Sequence, residues 1–221
     1  MNKGTKRITL FPLIDKDLSN EAIIGYFDPM MKLGLLPSVS PAIKLKVIGA
    51  EKRVEQKEVM TVDFIATSPN HITVSVTSER IDIILKEEEE WSKFKETIDK
   101  LIEIIFENNP EGFSRVAVGS RTHRSINEED LPRLGIPREE FSDKSVREYS
   151  RRVARVEPLT SAEGEKECEM NNVKSIRVSH AESGLVCTTE YDINSIPGEP
   201  IENVTGLVPL FISKAISIIE E

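Results

Sequence analysis

Two arginine-rich segments carry the residues whose chemistry stands out. Arg115, Arg121, His123 and Arg124 lie in or just after one stretch, FSRVAVGSRTHR. Arg147, Arg151, Arg152 and Arg155 lie in a second, KSVREYSRRVAR, where only Glu148 opposes them. A guanidinium is a planar fork of donors that matches phosphate oxygens, and Tyr149 adds a stacking surface. If both segments fold onto one face, that face accepts RNA, single-stranded DNA or a nucleotide. Two other readings stand beside this one. The arginines pair with the chain's acids, above all with the acidic excursion 127–143, or they form a site for an acidic protein partner.

Other chemistry is thinly represented. The three histidines, His71, His123 and His180, are far apart and show no H-x-x-x-H or H-E-x-x-H spacing. Cys168 and Cys187 lack a second C-x-x-C partner. Glu87 to Glu90 are consecutive, so on a helix they fan around the axis and cannot converge on one ion. They suit the positive end of a helix instead. There is no G-x-S-x-G elbow, no phosphate-binding G-x-x-x-x-G-K-[ST] and no G-x-G-x-x-G. Cys187 sits in an alternating stretch and reads as a small buried hydrophobe. A Cys–His pair with His180 and Glu182 nearby has no further support. The expectation is therefore no catalytic, metal-binding or cofactor-binding residue.

Composition bounds the rest. Of 221 residues, 38% are hydrophobic and 30% charged, which is globular and excludes collagen-like or wholly disordered chains. Asp and Glu number 38 against 29 Lys and Arg, a net charge of -9. That rules out a uniformly basic nucleic-acid coat but leaves room for a local basic face. No apolar run approaches the roughly 20 residues of a membrane span, and the start has no secretory pattern. Two cysteines cannot build a disulfide scaffold, so a cytoplasmic setting is expected.

The elements that must position the arginines come from hydrophobic periodicity. Thr5 to Leu13 reads as a short strand. Asp17 or Ser19 caps a helix of about 20–33, with Ile23, Ile24, Phe27, Met30 and Met31 on its apolar face and Gly34 as its stop. LLPSVSPA reads as a loop. Ile43 to Val47, Met60 to Phe64, Ile72 to Val76 and Ile81 to Leu85 alternate as strands. Ser68-Pro69-Asn70 marks a hairpin turn, and the tight connections favour an antiparallel meander. Trp91, Phe94, Ile98, Leu101, Ile102 and Ile105 form a helical stripe over about 89–107. Phe113 to Arg121 is a strand. Residues 125–144 read as a long excursion, and 145–156 as strand or helix without a decision. Two strands joined by Glu182-Ser183-Gly184 and a final helix from Val204 complete the chain.

Two stretches share a layout at an offset of 113: Trp91, Phe94, Ile98, Ile102 and Ile105 fall on Val204, Leu207, Phe211, Ala215 and Ile218. A common helical period produces part of that agreement. The expected architecture is a single α+β domain over 1–221, with halves 1–112 and 113–221. It has a mostly antiparallel sheet, long amphipathic helices on one face, and two pseudo-repeated strand–helix units.

The order ITVSVTSERIDIILKEEEEWSKFKETIDKLIEIIFENN, then FSRVAVGSRTHRSI, then CTTEYDINSIPGEPIENVTGLVPLFISKAISII resembles a sporadically distributed family of bacterial proteins with no assigned activity. That family shows a hairpin, a helix with an aromatic start, a strand with an Arg-x-Gly-x-Arg pattern, and a closing strand and helix. Ala117 stands where a glycine is usual. The resemblance implies a layout and a bacterial source, and no activity. The reading it leaves is a non-catalytic binding or assembly module that partners another protein or itself, by analogy an accessory part of phage defence. The rival is a sensor of nucleic acid or of a phosphate-bearing ligand through the arginines.

Overall fold

A computed structural model describes residues 3–13, 17–48, 53–66, 72–85, 91–110, 112–138, 148–160, 166–182, 184–196 and 207–220. The strands are β1 (Lys3–Pro12), β2 (Leu35–Ile48), β3 (Arg53–Ala66), β4 (Ile72–Val76), β5 (Ile81–Leu85), β6 (Phe113–Ile126), β7 (Glu148–Thr160), β8 (Lys166–Ala181) and β9 (Gly184–Ser195). The α-helices among the described residues are α1 (Asn20–Gly25), α2 (Phe27–Lys32), α3 (Lys95–Asn108) and α4 (Leu207–Glu220). The fold is α+β with a mostly antiparallel sheet, as the periodicity led one to expect.

Among the described residues, nine strands join one sheet in the order β2-β3-β4-β5-β1-β6-β9-β8-β7. Every pair is antiparallel. Period-2 alternation makes transverse rows. Phe64, Val74, Ile83, Ile8, Val118 and Ile193 pair across β3, β4, β5, β1, β6 and β9 in turn, and all are buried. They belong to one cluster with Trp91, Ile98, Leu101 and Ile105 before and within α3, and with Val208, Phe211, Ile212 and Ala215 of α4. Each such side chain contributes about 1.5–3 kcal/mol on burial, so this row and the helix stripes dominate stability.

The expected first helix is two pieces. Ser19 Oγ accepts from Ala22 N at 3.1 Å and caps α1. Pro29 would clash with the carbonyl of Gly25 and lacks its own donor, so a continuous helix is blocked and the chain restarts after Tyr26. The break turns Ile24 and Met31 outward. Ile23, Tyr26 and Met30 fill the core, and Phe27 packs edge-on to Phe64 with centroids 5.5 Å apart. Gly34, at φ 79°, ends α2.

The expected loop LLPSVSPA is instead the first half of β2. This is an edge strand, where Pro37 and Pro41 can sit without disrupting a ladder on both sides. The stripe of 89–107 starts as a 3-10 turn, Trp91–Phe94, before α3. Glu87 to Glu90, His71, the Ser68-Pro69-Asn70 turn and Val204 lie outside the described residues. The undecided segment 145–156 is strand from Glu148 onward.

Candidate anion-binding cleft

On one face, strand β9 reads Cys187, Thr189, Tyr191, Ile193. Ile193 belongs to the main core and Cys187 to a second apolar cluster with Ile126, Leu131, Ile136, Val178 and Leu185. Between the two clusters the same face is open. A cleft of about 570 Å³ lies there, lined among others by Arg151, Arg155, Lys174 and Tyr191. Ile218 at the end of α4 closes one side, and the 3-10 turn Pro132–Leu134 with Gly135 closes the other. A second hollow of about 250 Å³ shares Leu134, Lys174, Ile176 and Tyr191 and adds Arg124. The two form one continuous depression.

Alternation decides which arginines reach it. Arg151 and Arg155 align with Ile176 and Asn172 of β8, and Arg124 aligns with Cys187 of β9. These three share the face of the cleft. Arg121, His123 and Arg152 are at odd positions of β6 or between Arg151 and Val153 on β7, so they point the other way. Of these three, Arg121 has a carboxylate partner there among the described residues. Arg121 Nε lies 2.9 Å from Glu190 Oε1, and Arg152 shares that transverse row through Ser175. His123 Nδ1 is 2.9 Å from Thr188 Oγ1. Arg115 lies over the Phe11 ring, 3.8 Å from its centroid. Arg147 lies outside the described residues. The seven described residues of the eight read from the sequence thus divide between two faces.

Within the cleft the balance is different. Among the described residues, no carboxylate pairs with Arg124, Arg151 or Arg155. The described part of the acidic excursion does not pair with them: Asp130 caps the turn at Asn127 and lies 4.0 Å from Arg133, at the rim. Residues 139–147 of that excursion are outside the described residues. Lys174 Nζ sits over the Tyr191 ring at 4.8 Å from its centroid, a cation–π contact. Asn172 donates to Glu157 at 3.4 Å, while its Oδ1 is buried without a partner.

Gly135 explains how the turn and the strand meet. Its φ is +71°, and a β-carbon there would collide with Arg151 Nη1. The turn therefore wraps directly over the Arg151 side chain. Sequence reading missed Lys174, Asn172 and Tyr191. Lys174 and Ile176 alternate with Val173 on a recognised strand, which was the available signal.

Cys187 is fully buried and 3.9 Å from Thr189 Oγ1. Among the described residues, no group of three His, Cys, Asp or Glu side chains is placed to hold a metal ion. Among them too, no helix is long and apolar enough to cross a membrane. Compared with protein families, curated proteins and solved structures, the chain matches none.

Proposed function

We propose that this protein is a binding module whose cleft takes a phosphate-bearing ligand. The carrying observation is that Arg124, Arg151 and Arg155 share one face with Lys174 and have no carboxylate partner among the described residues. Guanidiniums with no ion-pair partner among the described residues, beside apolar side chains, favour a multiply charged, planar-acceptor anion. The test is a thermal-shift titration with tripolyphosphate. Stabilisation that fades with salt, and is lost in the Arg151→Ala/Arg155→Ala double variant, supports the reading. No shift at low salt overturns it.

An assembly role through sheet edges has less behind it. Both edge strands carry proline, Pro37 and Pro41 on β2 and Pro158 on β7, which discourages edge-to-edge pairing. Light scattering that shows a dimer at micromolar concentration would restore that reading.

The fold in this proposal is a duplication with its helices on one face. Each half begins with a strand (β1, β6) that pairs with its own last strand (β5, β9), and each ends in a helix (α3, α4). The two first strands pair antiparallel at the centre, Ile8 opposite Val118, as a pseudo-two-fold axis requires. The cleft then belongs to the second half, beside α4.

A further inference from the structure

The depression is longer than one phosphate needs. Arg124 aligns across β9 and β8 with Tyr149 of β7, and Arg155 stands six residues further along β7. With about 3.3 Å per residue and about 4.8 Å per strand, their backbones are roughly 20 Å apart along the strands and roughly 14 Å across them. One phosphate cannot bridge two guanidiniums so placed. Arg151 and Lys174 fall between them, Lys174 opposite Val153. Between these cations lie the apolar side chains of Ile176 and Leu134 and the ring of Tyr191. Asn172 adds a buried amide whose Oδ1 has no partner.

Separated anionic groups, flat apolar units between them and an amide that pairs with an N–H or C=O edge describe one class of molecule. Resting on the reading of the cleft as a phosphate site, we infer that the ligand is a short single-stranded oligonucleotide. Its phosphates lie along Arg155, Arg151, Lys174 and Arg124, and a base stacks at Tyr191. About four nucleotides fill the length, at the low end for single-strand-binding surfaces. A base arriving at Tyr191 displaces the Lys174 ammonium from the ring toward a phosphate.

The experiment is fluorescence anisotropy with labelled tetranucleotides, one ribo and one deoxyribo, competed with a mononucleotide, a dinucleotide and tripolyphosphate. The expected result is at least 10-fold tighter binding of a tetranucleotide than of the mononucleotide. Arg124→Ala and Arg155→Ala, at opposite ends and both exposed, each weaken the tetranucleotide several-fold, and weaken it more than they weaken the mononucleotide. Tyr191→Leu, which keeps an apolar floor, weakens it as well. Whichever sugar binds more tightly identifies the source as RNA or DNA. If tripolyphosphate stabilises the protein but neither tetranucleotide binds, the oligonucleotide inference is overturned and the phosphate reading stands. If nothing binds, both fall. If tetranucleotides bind and only Arg121→Ala or Arg152→Ala weakens them, the opposite face is the site and the inference is overturned.

Discussion

Gly135 and Arg151 are close-packed: the guanidinium Nη1 of Arg151 lies where a β-carbon on residue 135 would collide with it. The turn needs glycine twice over, for its left-handed φ of +71° and for the room it leaves to a side chain sixteen positions away. Gly135→Ala should cost about 1–2 kcal/mol of stability from backbone strain. It should also push Arg151 aside and weaken anion binding about 5-fold, near 1 kcal/mol. Gly135→Asn separates the two effects. Asparagine tolerates the left-handed region, so stability should nearly recover while binding stays weak. Urea denaturation beside a tripolyphosphate titration reads both; equal losses in binding and stability for the two variants would argue that the turn matters only for folding.

The two faces of the sheet should respond differently to charge removal. Arg151→Ala and Arg155→Ala should each reduce the slope of log affinity against log salt by about one. Arg121→Ala and Arg152→Ala should leave that slope alone. Arg121 already answers Glu190, an exposed pair worth at most about 1 kcal/mol. The measurement is the affinity of each variant at several salt concentrations.

Asp82 anchors the face turned away from the core. It is buried, accepts from Thr9 Oγ1 at 2.5 Å, and lies 2.8 Å from Arg80 Nε and 3.9 Å from Arg7 Nε. Asp82→Ala strands the buried Thr9 hydroxyl and should destabilise by about 2–3 kcal/mol. The two arginines are half exposed and add little to that. Asp82→Asn keeps an acceptor for Thr9 and should lose less than half as much. Denaturation midpoints with unchanged m-values report the difference.

Alkaline pH should destabilise the fold through two groups whose pKa values are raised. Burial raises the phenol of Tyr26, which is fully enclosed and whose OH is 3.5 Å from the Ile105 carbonyl. Hydrogen bonds from Lys44 to Asp17 and then to Glu79, both at 2.8 Å, raise its ammonium. A raised folded pKa means the stabilising state is intact below the unfolded value and is lost as pH climbs. The midpoint of urea unfolding should therefore be level from pH 7 to 9 and fall above about pH 10. Tyr26→Phe should make that fall shallower. An equally steep fall in the variant would remove Tyr26 as a cause.

Much of the architecture was legible because period 2 and period 3.6 were cleanly written. The alternation of ITVSV and IDIIL and the stripe from Trp91 to Ile105 all became buried faces. The misreadings have local causes. Pro37 and Pro41 signalled a loop, yet an edge strand tolerates them because only one of its sides carries a ladder. Pro29 sat inside a good helical period and split it. The cleft was half legible. The arginines were conspicuous, but Arg121 and Arg124, or Arg151 and Arg152, could be assigned to opposite faces only once both segments were known to be strands. For residues 145–156 the periodicity did not choose, so the faces could not be sorted. Alternation could place Lys174 on one face of its strand, but that this face and Tyr191 border the arginines depends on which strands become neighbours, and pairing between distant segments leaves no mark on either segment alone.

The central position of β1 has a practical consequence. Residues 3–12 form the fifth of nine strands, held on one side by Ile81–Leu85 and on the other by Phe113–His123. Trimming a dozen residues from the front of a protein is usually a cosmetic cut. Here it would pull out the keystone and leave two four-stranded fragments, each with a freshly bared apolar margin. Any tag, fusion or shortened version of this chain should spare its beginning.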